Sequence, residues 1–401
     1  MTIKQFQIHP YLREITATIL ERTEGALVLD QTIFAPEAGG QSCDLGTISL
    51  LSSDDNVALT HVSEENGVLY HRAESLPASF QPGTEVYLKL DWERRFDHMQ
   101  NHCAEHILSG ILFTRHNIGN KGFHLGTEIS TLDADIKNAP PELITELENL
   151  ANEAVFSRLP VKIEMIESKE EAEKRPLRKA LKVEEDISIV SIPGVDCVAC
   201  CCPHPATTAE VGLIKILKAE NYKGMTRIYF VAGKRALLDY RKKHDIISVL
   251  NQKYSSDENM LIENIKIQDN KVNQLRRDLH TMQEIFAGQE ADRLIGQASP
   301  NLVMATYERE SLDGLKRIAK KVMERTDQPV ILASESQLCV LLAHSGKSTL
   351  NMGQIVKEFA CGFGGKGGGS NVQAQALFKE KSVMDNFLKI AAAHTKQENF
   401  R

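Results

Sequence analysis

The sequence predicts a multidomain α+β protein in four parts: a small N-terminal β-barrel over residues 1–90, an α/β core over 91–242, a helical coiled-coil segment over 243–295 and a C-terminal α/β domain over 296–401. Three observations carry that reading. Short alternating segments broken by turn residues fill the first part. Helical periodicity opens after Asp91 and is then mixed with strands. A heptad stripe follows, in a stretch with no proline and a single glycine between residues 245 and 292.

In the barrel, residues 14–19 alternate, Glu24-Gly25 turns and residues 26–29 return. Asn66-Gly67 is a strong hairpin signal before Val68, and residues 84–90 alternate again. The core begins with a helix from roughly Arg94 to Phe113. A second helix follows Pro140-Pro141, with Leu143, Leu147, Leu150 and Ala154 on one face. Strand 161–166, a helix from 169 to 175 stopped by Pro176, strand 187–192 and a strand pair, 212–216 with 226–231, complete it. From Leu261 in steps of four and three come Ile265, Gln268, Val272, Leu275, Leu279, Met282 and Phe286, seven of the eight apolar. That is a coiled-coil seam, and the pattern leaves open whether its partner is in cis or in trans. The last part reads as strand 302–305, helix 311–325, strands 329–332 and 338–342, helix 352–360 and a glycine-rich loop over residues 362–369.

The apolar fraction of 42% and charged fraction of 25% exclude a disordered chain. No segment approaches the ~20 apolar residues of a membrane span, and the N-terminus lacks a signal-peptide pattern. With eight cysteines, three of them consecutive, and no export signal, the expectation is a cytoplasmic protein with reduced thiols. A net charge of −7 argues against a generic nucleic-acid coat. Between Val211 and Asp245, nine basic residues face three acidic ones, either a phosphate-holding patch or a solvated helix face.

Two pairs of ligand-type residues carry the chemistry. His102 and His106 are four apart on a helix and share a face. Cys200 and His204 repeat the spacing in Cys200-Cys201-Cys202-Pro203-His204. Thiolate plus imidazoles suits zinc, one ion per chain, with Cys197, Cys201 and Cys202 as competing thiols. Four such donors fill a tetrahedral shell, the structural pattern; a catalytic ion needs an open position, and the spacing does not choose between them. His102-Cys103-Ala104-Glu105-His106 also matches the His-x-x-Glu-His motif of a zinc peptidase. The loop bearing Gly364, Gly365, Lys366, Gly367, Gly368 and Gly369 offers backbone N–H groups to an oxyanion or an RNA backbone, and fits neither a P-loop nor a dinucleotide fingerprint.

The order of the motifs resembles the editing module of alanyl-tRNA synthetases. Gly39-Gly40-Gln41, with Asp44 and Gly46, is similar to its glycine-glycine-glutamine turn; His102 and His106 to its His-x3-His helix; Cys200 to His204 to its Cys-x3-His segment. The terminal glycine loop with Ala374-Gln375-Ala376 resembles the DHHA1 domain. A chain opening at the editing module, without the aminoacylation domain, resembles the long form of free-standing AlaX-type editing proteins.

The resemblance implies a trans-acting aminoacyl-tRNA hydrolase that deacylates Ser-tRNA(Ala), and Gly-tRNA(Ala), with Gly39, Gly40, Gln41 and Cys103 in the catalytic site and the terminal glycines on tRNA. Cys103 stands where the family has threonine, Cys201-Cys202-Pro203 replaces Gly-Gly-Thr, and Leu377 replaces a glycine; amino-acid selectivity stays open. Rival readings are a non-catalytic zinc-containing tRNA-binding or assembly protein and the zinc peptidase. A DHH phosphoesterase lacks support, because Asp97-His98 alone does not supply its aspartate-rich motif. The seam over 261–286 is expected to form a homodimer.

Overall fold

In the computed structural model, residues 2–181, 184–299 and 301–398 are described. The chain divides into two compact units, Met1–Val249 and Leu250–Arg401.

The first unit opens with a closed six-stranded barrel. Its strands are β1 (Glu14–Thr23), β2 (Ala26–Leu29), β3 (Gly46–Leu50), β4 (Asn56–Glu65), β5 (Val68–Ala73) and β6 (Glu85–Leu90), in the spatial order β1-β2-β5-β4-β3-β6. Alternation does what the sequence pattern requires: Val86, Leu88 and Leu90 of β6 point inward, Glu85 and Lys89 outward. Asn66 and Gly67 both take positive φ between β4 and β5, the conformation of a two-residue hairpin turn. Phe34, Phe80, Leu27, Leu69 and Ile48 fill the interior.

Helix α1 (Trp92–His116) is 25 residues long, extending the expected span at both ends; Asp91 caps it by accepting from the Arg94 N–H. It is buried almost all along one side, because a sheet, a hairpin and a second helix surround it. The sheet runs β12-β13-β8-β7, made of β7 (Asn120–Leu125), β8 (Ser130–Ala134), β12 (Ile214–Tyr222) and β13 (Met225–Ala232). The expected pairing of β12 with β13 is antiparallel. Helix α2 (Pro141–Phe156) buries Leu147, Ala151 and Ala154. A three-stranded sheet comprises β9 (Lys162–Ser168), β10 (Glu185–Ile192) and β11 (Asp196–Ala199). The helix expected over 169–175 is a single turn, Lys169–Ala172. Its acidic residues favour the first turn, but only Ala172 is buried, and so short a helix has too little apolar contact to extend. Helix α3 (Lys234–Tyr254) starts directly after β13.

In the second unit, α4 (Leu261–Gln297) is followed by β14 (Val303–Tyr307), α5 (Leu312–Met323), β15 (Val330–Ser334), β16 (Cys339–Ala343), β17 (Lys366–Gly369), β18 (Gln373–Leu377) and α6 (Lys381–Glu398). The sheet order is β14-β15-β16-β18-β17, parallel only between β14 and β15. The parallel pair is the one joined by a helix, as a crossover requires. The run expected as a glycine loop is in part an edge strand: residues 366–369 pair with residues 374–377 of β18. Ladder bonds to β18 answer one side of its backbone there, and before it Cys361–Phe363 forms a 3-10 turn, so Gly364 and Gly365 remain as irregular chain.

Candidate metal centre

Helix periodicity places His98, His102 and His106 on one buried face of α1. The chain returns to that face through the β10–β11 hairpin. Gly110 permits this: a Cβ there would lie 2.4 Å from the Val195 carbonyl oxygen. The hairpin therefore lies directly on the helix, and the segment beyond β11 carries Cys200 and His204 to the two histidines.

The donor atoms of His102, His106, Cys200 and His204 all lie within 4.8 Å of one another. Cys200 Sγ is 3.6 Å from His102 Nε2 and 3.3 Å from His204 Nε2. Donors bonded at about 2.0–2.3 Å around a tetrahedral ion fall within such a span. The chemistry of the set agrees. The Cys200 thiol is held well below its ordinary pKa, by a hydrogen bond from Cys202 foremost, against burial, with help from the nearby imidazoles. His204 is pushed down to about 4 by burial and stays a neutral imidazole. His106 is driven the other way, to about 10: burial opposes its charge, but Asp196 and Cys200 outweigh burial. The residues present fit a zinc-type ion.

Two of the imidazoles are oriented from outside. His102 Nδ1 donates to Gln41 Oε1 at 2.8 Å, and His106 Nδ1 donates to Asp196 Oδ2 at 2.9 Å. Such bonds fix the tautomer and turn Nε2 inward. His204 Nδ1 is buried without a partner. Asp196 is in turn held by Arg178, whose Nε donates to Oδ1 at 2.7 Å.

Gln41 reaches His102 because the loop before β3 is pinned to α1. Arg95 is fully buried and grips Asp44 through Nε and Nη2, while Asp44 Oδ2 accepts from Ala35 N at 2.6 Å. Removing one partner of such a pair costs about 3–5 kcal/mol, because the other charge is stranded. Gly39 and Gly40 both adopt positive φ, and a Cβ on Gly40 would meet the Phe123 carbonyl oxygen at 2.4 Å. The turn thus needs glycine for its conformation and for its contact with β7.

Family models match three segments: tRNA synthetases class II (A) over residues 4–94, the threonyl and alanyl tRNA synthetase second additional domain over 187–229, and the DHHA1 domain over 300–397. The alanyl-tRNA editing protein AlaX-L of Pyrococcus horikoshii is 30% identical over 386 residues, covering 93% of each chain. The chain belongs to the AlaX family. Alanine–tRNA ligase of Ignicoccus hospitalis is 28% identical over 418 residues, and there the match spans 100% of this chain but only 44% of the ligase. Among solved structures, the C-Ala domain of Aquifex aeolicus alanyl-tRNA synthetase aligns at 20% identity over 24% of this chain and 89% of its own, with a TM-score of 0.22.

In this AlaX-family chain, the segment matched over 187–229 contains Cys200 and His204. The other expected residues fall in different places. Cys103 packs in the apolar core with Leu108 and Ile111, its thiol raised by burial. Cys197 alternates away from Asp196 along β11 and packs beside Ile187 and Ile189, outside the donor cluster. Cys201 is exposed and Cys202 buried. Glu105 is buried and engaged by its neighbours: its Oε1 accepts from Ser109 Oγ and from Asn120 Nδ2, each at 2.5 Å. The basic run from 211 to 245 is largely neutralised, with Lys215 on Glu148, Arg227 on Asp133, Lys234 on Glu93 and Arg235 on Asp97. Residues 366–369 are exposed, in the second unit. Among the described residues, no helix is long and apolar enough to cross a membrane. Sequence reasoning missed Asp196, Arg178 and the Arg95–Asp44 pair. Adjacent arginines at 94–95 and an aspartate just after the glycine-glycine-glutamine turn were the available signals.

Proposed function

We propose that the chain is a trans-editing hydrolase, an aminoacyl-tRNA ester hydrolase acting on tRNA(Ala) charged with serine or glycine. The observation that carries the reading is the meeting of three separate segments: Gln41 of the glycine-glycine-glutamine turn, the His102–His106 pair and the Cys200–His204 pair. Membership of the AlaX family supports it. His102, His106, Cys200 and His204 hold one zinc ion, which when bound anchors substrate or polarises water. Gln41 keeps His102 in its ligating tautomer, and Asp196 does the same for His106. An aminoacyl ester is already activated, so placing its carbonyl and a water supplies most of what the reaction needs. Cys103, buried behind the first histidine, sets the shape of that wall rather than acting as nucleophile. The exposed glycines 364 and 367–369, with Lys366 and the buried Gly365 between them, contact tRNA, and residues 261–286 join two copies. Residues 1–90 and 91–242 form barrel and editing core, followed by the helical segment to 295 and the DHHA1 part.

Incubation of the purified protein with labelled Ser-, Gly- and Ala-tRNA(Ala) tests the reading. Loss of the label from the first two, with Ala-tRNA(Ala) spared, is expected. A zinc-loaded protein that hydrolyses none of them is a binding or assembly protein instead. Glu105→Gln separates the peptidase rival, which would lose its base and with it nearly all activity.

A further inference from the structure

One helical turn before the donor cluster, an open cavity of about 330 Å³ lies between the first turns of α1 and α3 and the β7–β8 turn. Ser42, Arg94, His98, Thr127 and Lys234 are among its walls. Three features there are unexplained by folding. His98 is 3% exposed and its Nδ1 has no hydrogen-bond partner. Burial foremost lowers its pKa to about 3, so it is a neutral ring with one N–H to give. Lys234 and Arg235 are each paired with a carboxylate, Glu93 and Asp97. The Arg94 guanidinium, by contrast, donates only to neutral oxygens, the Cys43 carbonyl at 3.1 Å and Ser42 Oγ at 2.8 Å, and among the described residues pairs with no carboxylate. Among the described residues, the cavity therefore carries one cation without a carboxylate partner, a Thr127 hydroxyl without a protein hydrogen bond and an imidazole with an unpartnered Nδ1. The first turn of the 21-residue α3 adds its positive helix end.

We propose that this cavity is a phosphate subsite, in which Arg94, His98 and Thr127 hold the 5′-phosphate of a terminal adenosine whose aminoacyl ester lies at the donor cluster. The assignment rests on the editing reading. Its geometry follows from the helix: His98 and His102 are four residues, about 6 Å, apart along the axis, comparable to the reach of the ribose that separates phosphate from ester. Ser42 and Gln41 are neighbours in sequence, so one loop touches both ends of that nucleotide. The chemistry selects a nucleotide phosphate; the neutralised walls leave room for a single anionic group.

Two substrates and two ligands test it. Seryl-adenosine 5′-monophosphate should be hydrolysed with a KM about ten-fold lower than seryl-adenosine, the effect of one charge-assisted contact. In Arg94→Gln the two KM values should converge. Thr127→Val, on an exposed turn where folding is not at risk, should narrow the gap about three-fold. Binding of AMP and adenosine is measured in parallel by calorimetry, which needs no hydrolysis. If AMP binds tighter than adenosine and Arg94→Gln abolishes the difference, the subsite stands even should neither ester be hydrolysed, and only the editing reading falls. Equal binding of AMP and adenosine to the wild type, or a preference that survives Arg94→Gln, overturns the subsite.

Discussion

The three imidazoles of the donor cluster are not equivalent, and the difference lies in one atom of each. His102 and His106 are held at Nδ1 by Gln41 and Asp196, whereas His204 Nδ1 has nothing to hold it. Alanine at 102, 106 or 200 should therefore abolish metal binding, while His204→Ala should retain a weakened site. Asp196→Asn should cost about 10–100-fold in zinc affinity, as loss of an outer hydrogen bond does. Metal content after gel filtration and zinc-indicator competition check the order; equal losses at 102 and 204 would contradict it. The sequence displays the donors through their spacing, but it cannot display Asp196, whose partner is 90 residues away.

A second residue-scale consequence concerns pH. His71, wholly buried in the barrel between the Leu27 carbonyl and Thr32, is pushed by burial down to about 4. A histidine free in the unfolded chain titrates near 6.5, so below that pH the unfolded state binds the extra proton. The stability that His71 contributes is thus complete above about pH 6.5 and is lost as pH falls through about 4. The loss approaches ~3 kcal/mol, from about 2.5 pH units at 1.36 kcal/mol each. Thermal unfolding between pH 7 and 4 should show a flatter decline for His71→Gln than for the wild type.

At the scale of elements, α4 poses the clearest question. Along it Leu275, Leu279 and Met282 are 58%, 56% and 68% exposed, while burial resumes only at Ala287, Ala291 and Leu294. Among the described residues, these side chains of the heptad stripe are exposed. At roughly 1.5–3 kcal/mol per apolar side chain, burial against a second copy is favourable. Leu275→Lys should move the protein from dimer to monomer in sedimentation velocity; an unchanged mass would refute self-association through α4. Long, strongly periodic elements such as α1 and β6 were legible because burial and period agree. The strands β7 and β8 were not, since Asn120-Lys121-Gly122 and Ser130-Thr131 carry too little apolar alternation to stand out. The glycine run misled for a related reason: without side chains it has no period, and its strand state is imposed by β18.

For the whole molecule, two units with separate cores imply separable roles. If the second unit holds tRNA phosphates as proposed, a chain ending at Tyr254 should still hydrolyse the ester, but with a raised KM for tRNA and a shallower dependence on salt. Steady-state kinetics from 50 to 200 mM salt decides this; unaltered KM and slope would assign no tRNA contact to residues beyond 254.

The donor cluster also has a topological meaning. His106 and Cys200 stand 94 residues apart, so an ion gripping both closes a loop nearly as long as a small protein. A cross-link over about 100 residues removes configurational freedom worth about 4–5 kcal/mol from the unfolded ensemble. An ion there acts as a reversible suture on the first unit alone. Scanning calorimetry with a chelator should lower the melting temperature of one transition and leave that of the second unit where it was. The local cohesion of the protein would then follow the free metal of its surroundings.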